Sequence, residues 1–408
     1  CSKPPFADTI RGANQLEVLK GALTRRQNKQ TQGGRAIRRN MERIPMARPS
    51  WSDEMRSAAV ETLDSKHWVK GRQVQAFGNE FANYCGTLNA APCQNGSSAL
   101  WAALKIAGIG PGDEVIVPSY TFISTATCIV LVGAQPVFVD VEPDYFCLEL
   151  DSVKQAVTSR TKAVIGVHLF GQPYDPKLID FCEANNLLLI EDAAQAHGAQ
   201  QQMTDGSVRV AGAMGDVGCF SFFPSKNMAV GGEGGMLTTI REEFSSRIQS
   251  ITNHGRTPNL ESVELGSNLR MSEVAAAIGR KQLSCLDDWV QTRRDTADRY
   301  AVLLENHPLI DAPGVRPNAQ HAWHQYCVQT PHPEALQAHL DKHEIDSRRY
   351  YTTPIHQQQI FANHYQHETI LPKTAKLGKT LVAIPVMHEL TELEILRIMV
   401  ALETFQLD

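Results

Sequence analysis

Lys226 is the residue whose surroundings point most directly to chemistry. It follows an apolar stretch that ends in Phe222-Phe223-Pro224-Ser225, and a glycine-rich segment, residues 231–235, comes soon after it. Lysine normally stays in water, and an amine drawn into a crevice loses its proton more easily and becomes a nucleophile. Such an amine forms Schiff bases with carbonyl compounds, above all with the aldehyde of pyridoxal phosphate. The alternative on this segment alone is a loop lysine that reaches solvent beside a hairpin.

A second candidate lies at the predicted start of a helix over residues 99–106. The small and hydroxyl-bearing residues Asn95-Gly96-Ser97-Ser98 open this helix. Free backbone N–H groups and the positive end of the helix dipole favour a phosphate group at such a position. The alternative is an ordinary helix cap without a ligand.

Asp192 and Phe122 are two further candidates, each at the end of a predicted strand. Asp192 ends a run of Leu and Ile, where an unpaired carboxylate is costly. A pyridinium N–H would compensate that carboxylate and would itself be kept protonated by it; an arginine partner or a helix cap is the alternative. Phe122 lies where an aromatic ring could stack on a planar cofactor, although, taken alone, core packing explains this residue better.

Chain length and composition indicate a large soluble globular protein. The chain has 408 residues, of which 42% are hydrophobic and 20% charged, enough for a large core and more than one domain. The nine cysteines include no Cys-x-x-Cys pair, which argues against a disulfide framework or zinc site and favours a reducing, cytoplasmic location. His321 and His324 lack a Cys or carboxylate cluster, so no metal is expected. No apolar run is long enough to span a membrane.

The charge is distributed unevenly along the chain. Residues 1–40 hold nine Lys and Arg against two Asp and Glu, whereas the whole chain holds 39 against 44. The acidic body does not suggest nucleic-acid binding. Leu16, Leu19 and Leu23 could form one apolar stripe on a short helix, followed by flexible Gln-, Gly- and Arg-rich sequence. We therefore expect residues 1–40 to be a basic extension, an interaction tail, a processing remnant or disordered padding, and the globular protein to begin near Met41.

Short apolar runs alternate with helical patterns from Asn95 onward. The predicted strands are 114–118, 136–140, 163–168 and 187–190, and the predicted helices between them are 124–131, around 153–157 and around 177–184. This alternation predicts an α/β fold with a mainly parallel sheet covered on both faces. Ligands of such sheets collect beyond the carboxyl ends of the strands. Asp140, His168, Asp192 and residues 221–226 fall there, which predicts one crevice.

Seven segments, in order, resemble the DegT/DnrJ/StrS family of sugar aminotransferases. They are Asn95-Gly96-Ser97-Ser98-Ala99-Leu100, residues 110–118, 191–198 and 220–235, Asn253-His254-Gly255-Arg256, residues 266–271 and Pro354-Ile355-His356. The resemblance covers the chain from about residue 44 to its end. It implies a fold-type-I, aspartate aminotransferase-like enzyme that depends on pyridoxal phosphate. Residues 41–290 would form the large cofactor-binding domain, and residues 291–408 a smaller C-terminal α+β domain.

The resemblance also implies a role for each matching residue in cofactor binding. Lys226 would carry the cofactor as a Schiff base and later move the substrate proton. Asp192 would face the pyridine nitrogen, Gln195 would hydrogen bond to the ring oxygen, and Phe122 would stack on the ring. The phosphate would be held by Gly96, Ser97 and Ser221.

Other matching positions imply how the enzyme assembles and where it holds substrate. Asn268 is similar to an asparagine that reaches the phosphate from the neighbouring subunit, which implies a homodimer with shared active sites. His324, Tyr351 and His356 match positions near the sugar nucleotide. The family commonly has an aromatic residue where this chain has Ser267, which leaves the contacts of that loop open.

The function implied is transfer of an amino group from L-glutamate or L-glutamine to a nucleotide-linked keto-sugar. Lysine at 226 favours transamination over dehydration, which a branch of the family with histidine there performs. The alternatives are a fold-type-I enzyme acting on a cyclitol or aromatic precursor, and a non-catalytic binding or regulatory relative. A nicotinamide dehydrogenase is disfavoured, because the glycines at 231–235 do not open a helix and form no dinucleotide fingerprint.

Overall fold

A computed structural model describes residues 42–362 and 370–407. The stripe expected at Leu16, Leu19 and Leu23 lies outside the described residues. The strands are β1 (Asn89–Cys93), β2 (Glu114–Pro118), β3 (Gln135–Val139), β4 (Thr161–Val167), β5 (Leu188–Asp192), β6 (Gln200–Gln202), β7 (Val208–Val210), β8 (Val217–Ser221), β9 (Gly235–Thr239), β10 (Ala319–Gln320), β11 (Tyr326–Gln329) and β12 (Leu381–Ile384).

The α-helices surround the strands along the whole described chain. They are α1 (Asp53–Asp64), α2 (Arg72–Cys85), α3 (Gly96–Ile106), α4 (Ser124–Leu131), α5 (Leu150–Ala156), α6 (Lys177–Ala184), α7 (Glu242–Ser245), α8 (Arg247–Ile251), α9 (Glu273–Leu283), α10 (Leu286–Leu304), α11 (Pro333–Lys342), α12 (Gln359–Ala362), α13 (Pro372–Thr380) and α14 (Glu392–Glu403). Short 3₁₀ turns occupy Leu169–Gly171 and Ile355–Gln357.

The central sheet has seven strands in the order β1-β9-β8-β5-β4-β2-β3. The five strands from β8 to β3 run parallel to their neighbours, and β9 and β1 add antiparallel pairs at one edge. The prediction of a mainly parallel α/β sheet is confirmed. Parallel neighbours place the carboxyl ends of β2, β4, β5 and β8 at one side of the sheet, and that side carries the candidate site.

Both faces of the sheet are buried. Successive side chains of a strand point to opposite faces, so each strand contributes to two cores. In β2, Val115 and Val117 enter one buried cluster with helix α3, whereas Ile116 enters the cluster on the other face with helix α2. Strand β4 alternates in the same way. Unbroken apolar strands therefore reflect two cores, one on each face, as the sequence pattern predicts.

The C-terminal part builds a third core around the antiparallel pair β11–β12. Tyr300, Tyr326 and Leu336 are buried there between this pair and helices α10, α11 and α14. Ile44 belongs to this core and forms a bridge with Ile345, so the first described residues pack on C-terminal elements. Helix α10 runs through residues 290 and 291, where the two expected domains meet.

The described chain shows features of neither a membrane-spanning helix nor a metal centre. None of the helices that the structure describes is both long and apolar enough to cross a bilayer. Within residues 42–362 and 370–407, no group of three or more His, Cys, Asp or Glu is arranged to hold a metal ion. His321 stacks on Trp323 with 3.7 Å between ring centroids, and its Nδ1 accepts a hydrogen bond from the Trp323 N–H.

Candidate active site

Lys226 lies in the turn that joins β8 to β9, beyond the carboxyl end of β8. Its backbone N–H donates to the Phe223 carbonyl at 2.8 Å, which fixes the turn. The amine forms no hydrogen bond or ion pair among the described residues. Burial lowers the pKa of Lys226 to about 8, and the negative charge of Asp192 partly opposes this shift. The turn therefore presents a lysine that is readily neutral and has no competing partner.

Asp192 is the last residue of β5, and its side chain is buried. Its Oδ2 accepts from the Thr125 hydroxyl at 2.8 Å, and its Oδ1 accepts from the Ala194 N–H at 3.2 Å. Burial raises the pKa of Asp192, and these two hydrogen bonds with the charge of Lys226 oppose the rise. No arginine pairs with it among the described residues, and it caps no helix there, so neither conventional explanation of this carboxylate applies.

Gly96, Ser97 and Ser221 meet where helix α3 begins beside the end of β8. Asn95 caps the helix by accepting from the Ser98 N–H at 2.9 Å. A Cβ added to Gly96 would lie 2.8 Å from the Ser221 Cβ, so only glycine allows this approach. The Ser97 hydroxyl lies 2.7 Å from that of Ser124, the first residue of α4. Hydroxyls and free N–H groups thus form a cup suited to an anion.

Gln195 and Tyr351 form one hydrogen-bonded pair, and Tyr351 lies within electrostatic range of Asp192. The Gln195 Oε1 accepts from the Phe170 N–H at 2.7 Å. That bond orients the amide, so Nε2 is the donor and reaches the Tyr351 hydroxyl at 3.3 Å. The Tyr351 N–H donates to the Tyr120 hydroxyl at 3.1 Å. Burial raises the pKa of Tyr351, which keeps its phenol neutral.

His324 and His356 approach the crevice from different directions. His324 is buried, its N–H donates to the Phe170 carbonyl at 2.8 Å, and its Nδ1 has no hydrogen-bond partner among the described residues. Burial and the nearby Lys226 charge lower the pKa of His324 well below its usual value. His356 is half-buried, and its Nδ1 lies 2.6 Å from the Ser119 hydroxyl, just past β2.

Phe122 and Asn268 are both exposed in the single chain. The Phe122 side chain is 54% exposed, so it is not part of the core and its ring is free to contact a ligand. Asn268 forms an antiparallel bridge with Asn253. No contact joins Asn268 to Gly96, Ser97 or Ser221 within the described residues. The structure thus assembles every candidate except Asn268 around the carboxyl ends of the strands.

Asp140 and His168 lie directly after β3 and β4, at the strand ends where the sequence places them. Asp140 accepts hydrogen bonds from the Lys373 and Thr374 N–H groups at 3.0 and 2.7 Å, which caps helix α13. His168 Nε2 bonds to the buried Glu191 carboxylate at 2.8 Å, whose oxygens also accept from three backbone N–H groups of residues 212–215. Both side chains are therefore engaged by structural partners.

Thr125 and Ser124 are site residues that the sequence analysis missed. Each hydrogen bonds directly to a candidate residue: Thr125 to Asp192, and Ser124 to Ser97. The available signal was position, because both residues lie in the first turn of α4, directly after the segment that carries Phe122. Hydroxyl residues are common at helix starts, so this signal alone did not single them out.

The assembled site combines three chemical abilities within one crevice. Lys226 supplies an amine that is readily neutral, Asp192 supplies a buried carboxylate, and the α3 start supplies an anion cup with Ser221. An amine of this kind attacks carbonyl carbons. A buried carboxylate stabilises a cationic N–H that faces it. Together they fit a phosphate-bearing ring with an aldehyde.

Comparison with known proteins agrees with this chemistry. Residues 49–403 match the model of the DegT/DnrJ/EryC1/StrS aminotransferase family. A similar protein is the UDP-N-acetyl-3-dehydro-alpha-D-glucosamine 3-aminotransferase of Acidithiobacillus ferrooxidans, 38% identical over 85% of this chain and 92% of that protein. Another is the pleiotropic regulatory protein of Geobacillus stearothermophilus, 37% identical over 81% of this chain and 89% of that protein.

A solved structure shares the fold over nearly its whole length. The crystal structure of S. venezuelae DesV in complex with a ketimine intermediate has a TM-score of 0.82 and 34% sequence identity, covering 88% of this chain and 98% of that chain. The family match, the sheet topology and the lysine-bearing crevice agree. The chain belongs to the DegT/DnrJ/EryC1/StrS aminotransferase family.

Proposed function

We propose that this protein is a pyridoxal phosphate-dependent aminotransferase that moves an amino group from L-glutamate or L-glutamine to a nucleotide-linked keto-sugar. One observation carries the proposal. The Lys226 amine is buried near the Asp192 carboxylate, which it senses electrostatically, and it has no hydrogen-bond or ion-pair partner among the described residues. The relative from A. ferrooxidans is named as an aminotransferase of a UDP-linked dehydro-sugar, which supports the substrate class.

The residues present fit pyridoxal phosphate group by group. The aldehyde of that cofactor needs a neutral amine, which Lys226 provides at mildly alkaline pH. Its pyridine nitrogen needs a carboxylate held ionised, and the Asp192 carboxylate accepts two hydrogen bonds that favour this state. Its phosphate needs N–H and hydroxyl donors, which Gly96, Ser97 and Ser221 provide.

When bound, pyridoxal phosphate supplies an aldehyde that exchanges amino groups and a ring that delocalises negative charge. Lys226 would take the proton from the donor's α-carbon and would deliver a proton to the sugar carbon that receives the amino group. Asp192 would keep the ring nitrogen protonated, and the Gln195 Nε2 would donate to the ring oxygen. The exposed Phe122 ring would stack on the cofactor and exclude water from one face.

His324, Tyr351 and His356 would contact the sugar nucleotide, and burial keeps each of these side chains neutral at pH 7. Their donors would orient hydroxyl and carbonyl groups of the sugar without adding charge.

Purified protein offered a panel of nucleotide keto-sugars with L-glutamate should convert one class to amino-sugars, read by mass spectrometry. Lys226→Ala protein is the matched control and should convert none. If the native protein also converts none of the keto-sugars, the proposed substrate class is contradicted.

The same site suits two other functions that the experiment separates. A cyclitol or aromatic precursor would accept the amino group by the same chemistry, so these belong in the panel as additional acceptors. The relative from G. stearothermophilus is named as a pleiotropic regulatory protein, which suggests a regulatory role. The intact set of Lys226, Asp192 and Ser221 opposes a purely non-catalytic role. Release of 2-oxoglutarate from glutamate alone would decide for catalysis, because that half-reaction needs no acceptor.

We infer further that the protein works as a cytoplasmic homodimer whose active sites are shared. Asn268 would reach the phosphate cup of the partner subunit. Three apolar residues that precede Asn268 in the chain support a subunit interface there. Leu260, Val263 and Leu265 are 71%, 63% and 82% exposed in the single chain, and a partner subunit would cover them. We also propose residues 41–290 as the cofactor-binding domain and 291–408 as the smaller domain, with residues 1–40 as a basic extension.

A further inference from the structure

Thr125 stands out because it is fully buried and its hydroxyl contacts the candidate cofactor carboxylate. Helix α4 carries Thr125 one turn after Phe122, and the side chain has no exposed surface. Its Oγ1 lies 2.8 Å from Asp192 Oδ2, 2.9 Å from the Phe122 carbonyl and 3.2 Å from the Thr121 hydroxyl. A hydroxyl has one proton, so these contacts compete for it.

The surrounding groups decide where that proton goes. The Phe122 carbonyl already accepts the Thr125 backbone N–H at 3.1 Å, whereas Asp192 Oδ2 has no other donor among the described residues. An ionised carboxylate is also the stronger acceptor. The Thr125 proton therefore points to Asp192, and the Thr121 hydroxyl donates in turn to Thr125 Oγ1. The two threonines form a relay that ends on the carboxylate.

We propose that Thr125 is a positioning residue whose hydroxyl holds the Asp192 carboxylate ionised and in one orientation, facing the pyridine nitrogen of the cofactor. The inference rests on the proposed function. Asp192 Oδ1 is held from the other side by the Ala194 N–H, so the two donors fix the plane of the carboxylate. Its remaining lone pairs then serve a single N–H of the ring. The hydrogen bond from Thr125 also lowers the pKa of Asp192 against the rise that burial causes.

The experiment separates this role from packing by removing the hydroxyl and, independently, the ring nitrogen. Apo-protein is titrated with pyridoxal phosphate and with its 1-deaza analogue, in which carbon replaces the pyridine nitrogen, and dissociation constants are read from cofactor absorbance. Thr125→Val keeps the shape and removes the donor. It should weaken binding of pyridoxal phosphate about tenfold and leave the 1-deaza analogue unaffected. Thr125→Ser keeps the donor and should restore binding of pyridoxal phosphate.

Each outcome has a defined meaning. Equal weakening for both cofactors, or no weakening for either, overturns the positioning role and leaves the proposed function intact. If native apo-protein does not bind pyridoxal phosphate at all, both the positioning role and the proposed function are contradicted. Should Thr125→Val not fold, Thr125→Ala removes the same donor without placing a methyl group against the carboxylate, and the same comparison of two cofactors applies to it.

Discussion

The protonation state of Lys226 should control how fast the apo-protein captures its cofactor. Burial lowers the pKa of this amine to about 8, and only the neutral amine attacks an aldehyde. Below that pKa the neutral fraction rises about tenfold per pH unit, and above it the fraction is constant. The rate of capture of pyridoxal phosphate, followed by absorbance, should therefore rise up to about pH 8 and then level off. A rate that keeps rising to pH 10 would mean an unshifted lysine.

Gly96 offers a second test at the scale of a residue. Gly96→Ala places a Cβ 2.8 Å from the Ser221 Cβ, which must push the two sides of the anion cup apart. We expect a loss of about 1–3 kcal/mol in the free energy of unfolding and weaker retention of pyridoxal phosphate. Gly232→Ala is the matched control, because a Cβ there meets nothing within 4 Å. Equal cofactor retention in both variants would contradict a cup at Gly96.

The role of a residue was predictable from the sequence where burying its charged side chain would cost much free energy without a functional partner. Lys226 after an apolar strand and Asp192 at the end of another are costly to bury, and the structure brings both into one crevice. Asp140 and His168 occupy similar positions, yet their buried partners are the α13 start and Glu191. Those partners lie 234 and 23 residues away along the chain, so only tertiary structure reveals them.

At the scale of elements, the cap that joins the sheet to helix α13 carries a stability prediction. Asp140→Ala leaves the Lys373 and Thr374 N–H groups without their acceptor. The free energy of unfolding should fall by about 2–3 kcal/mol, since these donors are largely buried. Asp151→Ala is the control, because its carboxylate is exposed and pairs with Lys154 on the same helix; it should change stability by less than about 0.5 kcal/mol. Equal losses in urea unfolding would argue against the cap.

Helices and buried strands followed from the pattern of apolar residues to within a few positions. Helices α4 and α6 have the predicted limits, Ser124–Leu131 and Lys177–Ala184. Strand β3 ends at Val139, one residue before its predicted end, because Asp140 turns away to cap α13. The C-terminal core was less predictable, since Ile44 joins it from the other end of the described chain. Such a contact leaves no local sequence pattern.

At the scale of the whole molecule, the proposed sharing of active sites between subunits predicts complementation between two impaired proteins. Asn268→Ala should weaken cofactor retention about ten- to a hundredfold through loss of a charge-assisted hydrogen bond. Lys226→Ala chains mixed with Asn268→Ala chains should recover activity, because one of the two sites in a mixed dimer then has both residues intact. If Asn268 served its own chain, neither site would be complete. An active monomer in light scattering would also contradict sharing.

The proposed function depends on a Schiff base between Lys226 and pyridoxal phosphate, and borohydride reduction detects that bond. Protein reconstituted with pyridoxal phosphate is reduced, digested and examined by peptide mass spectrometry, with Lys226→Ala protein treated in parallel. We expect a stable pyridoxyl group on the Lys226 peptide of the native protein and none on the variant. A pyridoxyl group on a different lysine, or on no lysine of the reconstituted native protein, would contradict it.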